Sequence, residues 1–457
     1  MLLVSANREH LPAPVVPLGL LSIAGALRAA GHEVGFVDLC FEREPLTALT
    51  SAIHAFAPTV VGLGLRNLHS NAYDGTDRLV AEYEGVAQAI RAATSAPLLV
   101  GGSAFSLQPQ RLLAALGADH GVVGEGETAA AEIVAGLDRR ERPPRLVHAA
   151  AIAGARRGID LDSLAGPARD LVDPRYYAFD GTANLQSRRG CAFQCAYCDY
   201  PDLEGRRVRV RSPAAVADEL FALAATPGVT HAFFVDSVFN VPRSLTLAIC
   251  DAIVARFGRT PPLPWVCYAS PFGLDDTIVG AMARAGCVGA ELGSDSADEG
   301  VLQRLRKPFG LDAIFAAHEL FRRHDLLDCH TFVLGAESVL GPESGLSRLG
   351  GAARWSESLD EARRTLATID RLDPDVAAFI VFSEDREERG PHAAHLRKEL
   401  LALLAVEAPR RPGWIVPELG IRFGEKLTRT IRRYAIRGPA WLYLARQRRS
   451  GVRGLVA

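Results

Sequence analysis

The feature that most constrains the fold is a strand–helix alternation that runs twice, with an irregular stretch between the two runs. Residues 1–140 hold apolar runs at Leu2–Ser5, Val34–Leu39, Val60–Leu65, Pro97–Val100 and His120–Val123. Helix-period segments lie between and after them, at 17–30, 76–94, near 108–116 and near 126–137. Short apolar strands spaced by helices call for parallel pairing, because a parallel neighbour is reached only through a crossover, and that crossover is right-handed. The expectation is an α/β, doubly wound, Rossmann-like (flavodoxin-like) sheet of five strands. Such sheets bind ligands at their strand carboxyl ends. Those ends carry Asn7, Arg66-Asn67, Gly101-Gly102 and Gly124-Glu125-Gly126-Glu127. Gly101 and Gly102 let a ligand approach the backbone, and Gly124–Glu127 opens a helix whose free amides suit a polar group, although ordinary turn chemistry explains single glycines equally well.

Residues 141–182 carry Pro143-Pro144, Gly154, Gly158, Gly166-Pro167 and Pro174 and read as an extended connector packed across two domains. The second run follows at 183–385. Strands are expected at Ala183–Ser187, His231–Val235, Pro264–Tyr268, Val288–Leu292, Cys329–Leu334 and Val376–Phe382, with helices at 213–226, 242–257, near 275–285, near 311–324 and at 358–371. About six βα units predict a partial (β/α)6 barrel with its site at the strand carboxyl ends. Residues 386–457 form a basic helical C-terminal region. Thr428–Arg433 and Pro439–Arg449, with Trp441 and Tyr443, read as amphipathic helices that cap the barrel in preference to lying on a membrane surface.

Between the first strand and first helix of the barrel stands Ser187-Arg-Arg-Gly-Cys191-Ala-Phe-Gln-Cys195-Ala-Tyr-Cys198, a C-x3-C-x2-C pattern. It places Cys191, Cys195 and Cys198 on one side of a short loop. Structural zinc takes four ligands, usually as two close pairs, and the remaining candidates Cys250, Cys267, Cys287 and Cys329 are isolated. A thioredoxin-like C-x-x-C leaves Cys191 unexplained. Full protein ligation of a four-iron cluster takes four cysteines, so three leave one iron free for a substrate or cofactor.

This loop resembles the signature of the radical S-adenosylmethionine (radical SAM) enzymes, with Tyr197 at the usual aromatic place before the last cysteine. The resemblance implies that Cys191, Cys195 and Cys198 hold a [4Fe–4S] cluster and that the amino and carboxylate groups of SAM chelate the fourth iron. Phe234-Val-Asp236-Ser237-Val-Phe-Asn240 and Glu291-Leu-Gly-Ser294-Asp295 match further segments of that family. They imply that Asp236 and Ser237 meet the SAM amino group and that Glu291 and Ser294 meet its ribose and carboxylate. Arg306 or Lys307 is implied at the carboxylate, with a solvated helix end as the alternative.

The first domain resembles the cobalamin-binding domain fused to the N-terminus of many radical SAM enzymes, through Pro14–Leu20, Ala30–Val34, Asp38 and Gly124–Glu127. The resemblance implies cobalamin bound near Asn7, Arg66, Asn67, Gly101, Gly102, Gly124 and Glu125. The Asp-x-His-x-x-Gly motif that gives cobalt a lower histidine is absent, and His32 and His69 are not in its context. Arg66 is then the candidate for the lower face, the alternative being a partner for a cobalamin amide or a nearby acid. Some relatives keep this domain without cobalamin, and the sequence leaves both states open. Relatives also carry Gly-Gly-Pro-Gly-Glu-Thr after the fifth barrel strand. Here Gly335-Ala-Glu-Ser338 and a Gly/Ser-rich stretch to Ser356 stand instead, so the 336–356 segment reads as a lid, a substrate contact or a disordered excursion.

The composition, 48% hydrophobic and 23% charged, suits a globular chain, and a net charge of −2 gives no field for nucleic acid. The start Met-Leu-Leu-Val-Ser-Ala-Asn has no basic n-region or cleavage site, and no uncharged apolar run reaches the roughly 18 residues that span a bilayer. Eight scattered cysteines do not form a disulfide framework, which favours a reducing cytoplasm. The leading expectation is a cobalamin-dependent radical SAM enzyme that methylates an unactivated carbon of a small-molecule or peptide substrate in natural-product or lipid biosynthesis. Flavodoxin or ferredoxin would supply electrons. The alternatives are a radical SAM cyclase, rearrangement enzyme or oxidoreductase without methyl transfer and, from another class, a non-catalytic iron–sulfur redox sensor.

Overall fold

Parallel pairing organises both runs in the computed structural model, which describes residues 1–68, 77–149, 159–258, 261–339, 354–382 and 391–451. In the first, β1 (Leu2–Ser5), β2 (Gly35–Asp38), β3 (Val61–Gly64), β4 (Leu98–Gly101), β5 (His120–Val123) and β6 (Leu146–His148) form one sheet in the order β2-β1-β3-β4-β5-β6. Every neighbour is parallel. The central strands are apolar throughout because helices cover both faces. Helices Pro45–Phe56 and Asp77–Ala93 lie on one side, Leu18–Ala29 and Gly126–Asp138 on the other. Strand order reverses at β1, which opens a crevice at the carboxyl ends of β1 and β3, between Asn7 and Arg66.

The sheet has one strand more than the five expected. β6 comes from the connector and pairs with β5 through Gly121↔Leu146. Three residues with one buried side chain, Val147, give too little alternation to read as a strand. The rest of the connector laces the domains together. A Cβ on Gly25 would lie 2.1 Å from the Gly166 carbonyl oxygen, so only glycine lets the connector cross helix Leu18–Ala29 here. Arg169 then reaches into the second domain, pairing with Glu219 and donating to the Asn184 carbonyl. Tyr176, on a short helix capped by Asp173, donates back to Asp38 at 2.8 Å.

The second domain is an open barrel. Its main strands are β7 (Thr182–Leu185), β10 (His231–Phe234), β11 (Trp265–Ala269), β12 (Cys287–Asp295), β13 (Leu327–Leu334), β16 (Val376–Val381) and β17 (Trp414–Ile415). They run in strict sequence, β7-β10-β11-β12-β13-β16-β17, and all pairs are parallel. The two-residue β17 extends the six strands expected. A hairpin of β8 (Arg188–Arg189) and β9 (Arg209–Val210) sits above β7, and β14 (Glu337–Val339) pairs with β15 (Arg354–Ser356). His69 and residues 340–353 of the 336–356 segment lie outside the described residues.

Alternation along the strands separates two faces. Trp265, Cys267, Ala290 and Leu292 point outward into a core shared with helices Pro213–Ala224, Arg243–Phe257, Asp276–Arg284 and Leu311–Arg323. Ser212 caps the first of these through the Ala215 amide. The inner face is filled from below by helix Ala440–Arg449, whose Trp441, Leu442, Leu444 and Ala445 pack on Val266, Leu327, Cys329 and Val376. The apolar side of this basic helix is therefore spent on the barrel. Its arginines pair with strand-end acids, Arg448 with Asp373 and Arg449 with Asp375. No helix among the described residues is long and apolar enough to cross a membrane. Cys250, Cys267, Cys287 and Cys329 are free thiols buried in these cores.

Candidate functional site

The cysteine loop is held by backbone bonds that leave its thiols unspent. Gly190 has φ +90°, and a Cβ there would lie 2.3 Å from the Arg207 carbonyl oxygen, so the loop can begin only at glycine. Its amide donates to Glu204 at 3.0 Å, the Cys191 amide to the Gly205 carbonyl at 3.1 Å and the Ala196 amide to the Leu305 carbonyl at 3.0 Å. Cys191, Cys195 and Cys198 are free and half-buried. Burial pushes the Cys198 thiol up to about 11, so a bound cation is needed to hold it as thiolate at neutral pH.

Donor spacing discriminates between metals. Tetrahedral zinc with Zn–S near 2.3 Å draws its sulfurs to within about 4 Å of one another. Among the described residues, the one set of three metal-ligating atoms within 4.8 Å of each other is at His318, Asp328 and His330, not in the cysteine loop. Three free thiols in one loop suit a cluster that leaves one iron open, and not the four-ligand set of structural zinc. Lys307 stands beside them. Its Nζ is 3.5 Å from Cys195 Sγ, it is ion-paired with Asp295, and it lies 5.8 Å from the Tyr197 ring centroid.

Two of the residues expected at SAM have other tasks. Asp236 is fully buried beneath the loop. It accepts from the Ser187 amide at 2.7 Å, the Ser187 hydroxyl at 2.6 Å and the Arg188 amide at 3.0 Å, so both oxygens are engaged in holding the start of the loop. Ser294 is equally buried and meets His330 Nδ1 at 2.7 Å on the outer face. Alternation from Ala290 and Leu292 puts it on that face, away from the cleft. Ser237 sits at the loop itself, donating to the Gly190 carbonyl at 3.2 Å. Tyr197 packs on Val301, Leu305, Val333 and Ala336. Arg306 is exposed.

Glu291 lies on the inner face in register with Tyr268 and Cys329. Burial pushes its carboxyl up to about 7. Tyr268 is 38% exposed, Ile380 41%, and Tyr200 and Phe272 40% each, although these are large side chains at the carboxyl ends of buried strands or in the adjoining loops. Together they line an apolar cleft above the barrel. Phe272 also meets Phe193 of the cysteine loop, ring centroids 5.5 Å apart. Tyr200, Tyr268, Phe272 and Ile380 were not singled out from the sequence. The available signal was an aromatic at the inward parity of β11, opposite in phase to Trp265 and Cys267.

On the facing edge of the first domain, Asn7 is buried with its side-chain Nδ2 unpartnered. Arg66 is exposed, and its positive charge acts on Tyr200 and Tyr268 across the cleft. Asn67 accepts Tyr83 OH through its carbonyl. Gly101 is half-buried at the end of β4. Gly102 has φ +103°, and a Cβ there would lie 2.3 Å from the Leu65 carbonyl oxygen, so its close approach is to a neighbouring strand. The Gly124 amide donates to Ser106 Oγ at 2.9 Å. Glu125 departs from the expectation. Its carboxylate is taken by Arg189 and Arg209 of the β8–β9 hairpin, so it joins the domains in place of facing a ligand. An orphaned buried donor at the strand-reversal crevice, beside an exposed arginine, fits a large amide-bearing cofactor on this edge.

Comparison with known proteins agrees with both edges. Residues 4–134 match the model of the B12 binding domain, and residues 185–337 match that of the radical SAM superfamily. Tryptophan 2-C-methyltransferase of Streptomyces laurentii is 27% identical over 64% of this chain and 59% of its own length. Hopanoid C-3 methylase of Methylococcus capsulatus is 27% identical over 66% of this chain and 58% of its own. The chain thus spans about three-fifths of the length of these curated relatives. The solved radical SAM methyltransferase TsrM from Kitasatospora setae, with cobalamin and a [4Fe–4S] cluster bound, shares the fold at TM-score 0.76 and 21% identity, covering 99% of each chain. With the two domain models side by side on one chain and the cysteine loop between their facing edges, the protein belongs to the B12-binding-domain-containing radical SAM family.

Proposed function

We propose that the protein is a cobalamin-dependent radical SAM methyltransferase acting on a small molecule with an apolar or aromatic face. The observation that carries this reading is the pairing of Arg189, two residues before Cys191, with Glu125 and Glu127, which holds the cysteine loop against the carboxyl edge of the cobalamin-type domain. One cleft is thereby bounded by both cofactor edges.

Cys191, Cys195 and Cys198 would hold three irons, leaving the fourth to SAM. Ser237, Tyr197 and Glu291 would line the SAM side. Asn7, Arg66, Asn67, Gly101, Gly102 and Gly124 would line the cobalamin side, with Arg66 at the lower face. When bound, these groups supply one-electron cleavage of SAM and a carrier for its methyl group. The chain's own part is positional. Asp236 fixes the base of the cysteine loop, Lys307 places a positive charge beside Cys195, and Tyr200, Tyr268, Phe272 and Ile380 exclude water around the substrate. Glu291, titrating near neutrality, can hold or release a proton at its carboxyl oxygens. Its relatives named above include a tryptophan and a hopanoid methylating enzyme, so aromatic amino acids and polycyclic lipids are the first substrates to test.

The test is anaerobic reconstitution with iron, sulfide and hydroxocobalamin, with reduced flavodoxin or dithionite as electron source. Incubation with methyl-labelled SAM and a candidate panel should give a labelled product that requires cobalamin. Turnover that is undiminished without cobalamin favours a cyclase, rearrangement or oxidoreductase reaction instead.

A further inference from the structure

On the outer face of the barrel sheet, opposite the inner face that carries Glu291, three buried side chains converge. His318 projects from the buried face of helix Leu311–Arg323. Asp328 and His330, two residues apart on β13, point to the same outer face. They are 3%, 0% and 0% exposed, and one ligand atom from each lies within 4.8 Å of the others. We propose that His318, Asp328 and His330 form a site for one zinc-like divalent ion, separate from the cofactor cleft.

The hydrogen-bond accounting points to a missing cation. His318 Nδ1 is 2.5 Å from Asp328 Oδ2, while His330 Nε2 is 3.4 Å from the same oxygen, beyond a good hydrogen bond. At that distance the second ring is left without a hydrogen bond. His318 Nε2 and His330 Nε2 are left buried without a hydrogen-bond partner, which is costly for any polar group. A cation held by His318 Nδ1, Asp328 Oδ2 and His330 Nε2 gives His330 Nε2 the partner it lacks. The supporting bonds are those of a metal site. Ser294 Oγ meets His330 Nδ1 at 2.7 Å and so fixes which ring nitrogen faces Asp328. The Asp375 amide donates to Asp328 Oδ1 at 2.8 Å, which leaves Oδ2 to the site.

Two imidazole nitrogens and one carboxylate oxygen suit zinc, and three protein ligands leave a fourth position for water. A cavity of about 380 Å³, lined by His318, Asp373, Asp375 and three arginines, adjoins the cluster and gives it a route to solvent. The ion would tie helix Leu311–Arg323 to β13 across the outer layer.

The experiment uses the full-length protein loaded with cluster and cobalamin, equilibrated with a small excess of zinc and desalted. Metal analysis is expected to give about one zinc per chain, with an X-ray absorption shell of nitrogen and oxygen near 2.0 Å. Less than about one zinc per ten chains, or a sulfur shell near 2.3 Å placing zinc on the cysteine loop, overturns the proposal. Ser294→Ala should weaken zinc binding about ten- to a hundredfold with iron content unchanged. His330→Gln should abolish it. If His330→Gln does not fold, the wild-type absorption shell and Ser294→Ala still decide. Zinc affinity unchanged in Ser294→Ala contradicts the site.

Discussion

Arg189 crosses the domain boundary to two carboxylates at once, with Nη1 3.0 Å from Glu125 Oε1 and Nη2 2.6 Å from Glu127 Oε1. Arg189 lies two residues before Cys191, and Glu125 opens the last helix of the first domain. The pair therefore joins the loop that carries the cysteines to the edge on which cobalamin is expected.

This clamp is nearly dry, with side chains 14% exposed for Arg189 and 5% for Glu127. Removing one partner of a buried pair leaves the other charge uncompensated. Arg189→Ala should cost about 3–5 kcal/mol. Scanning calorimetry should show a lower transition, accompanied by loss of iron on gel filtration. A transition at the wild-type temperature would mean that water already screens these groups.

Glu291 gives a pH dependence whose sign is fixed by burial. Its carboxyl rises from 4.5 to about 7 in the folded protein. Its contribution to stability is thus fully present below pH 4.5 and lost as pH rises through about 7. Glu291→Gln cannot titrate. Between pH 5 and 8 its stability should gain on wild type by roughly 2–3 kcal/mol. Melting temperatures of both proteins across that range check this, and parallel curves contradict it.

Gly102 is a backbone prediction. Its φ of +103° lies where side chains are strained, and a Cβ would sit 2.3 Å from the Leu65 carbonyl oxygen. Gly102→Ala should cost at least about 1–3 kcal/mol from backbone strain alone. Cobalamin retention after anaerobic desalting should fall with it, while the iron content of the second domain persists. Full retention would show that β3 and β4 can move apart.

Lys307 tests electrostatics at the cysteine loop. A cation 3.5 Å from Cys195 Sγ favours the more negative, reduced state of a cluster held there. Lys307→Met should lower the cluster midpoint on the order of 60 mV, about tenfold in the reduction equilibrium. A redox titration followed by electron paramagnetic resonance reads it. An unchanged or raised midpoint contradicts the assignment.

Much of the fold was legible because parallel strands buried on both faces leave unbroken apolar runs, as at Val61–Gly64 and Trp265–Ala269. The edge strands β6 and β17 were not, since three and two residues carry no period. The cysteines were legible because their spacing is local. Asp236 and Ser294 lie at the strand ends the sequence indicates, where both are engaged with protein partners. Parity decides which face a residue takes: Ser294 follows Ala290 and Leu292 outward, while Glu291 faces in. The pairing of Glu125 was not legible because its partners, Arg189 and Arg209, lie more than 60 residues away in sequence. The cleft residues Tyr200 and Tyr268 are defined by what they face across two domains, which no local pattern encodes.

The central claim is that one cleft joins SAM, the cysteine-held cluster and cobalamin for methyl transfer. It is tested most directly without a substrate. Anaerobically reconstituted protein carrying cobalamin is reduced and given methyl-labelled SAM, and the corrinoid is then extracted and its label counted. The account predicts labelled methylcobalamin, lost in Cys191→Ala/Cys195→Ala/Cys198→Ala and diminished in Arg66→Ala. Protein that binds cobalamin and SAM yet never labels the corrinoid would contradict it.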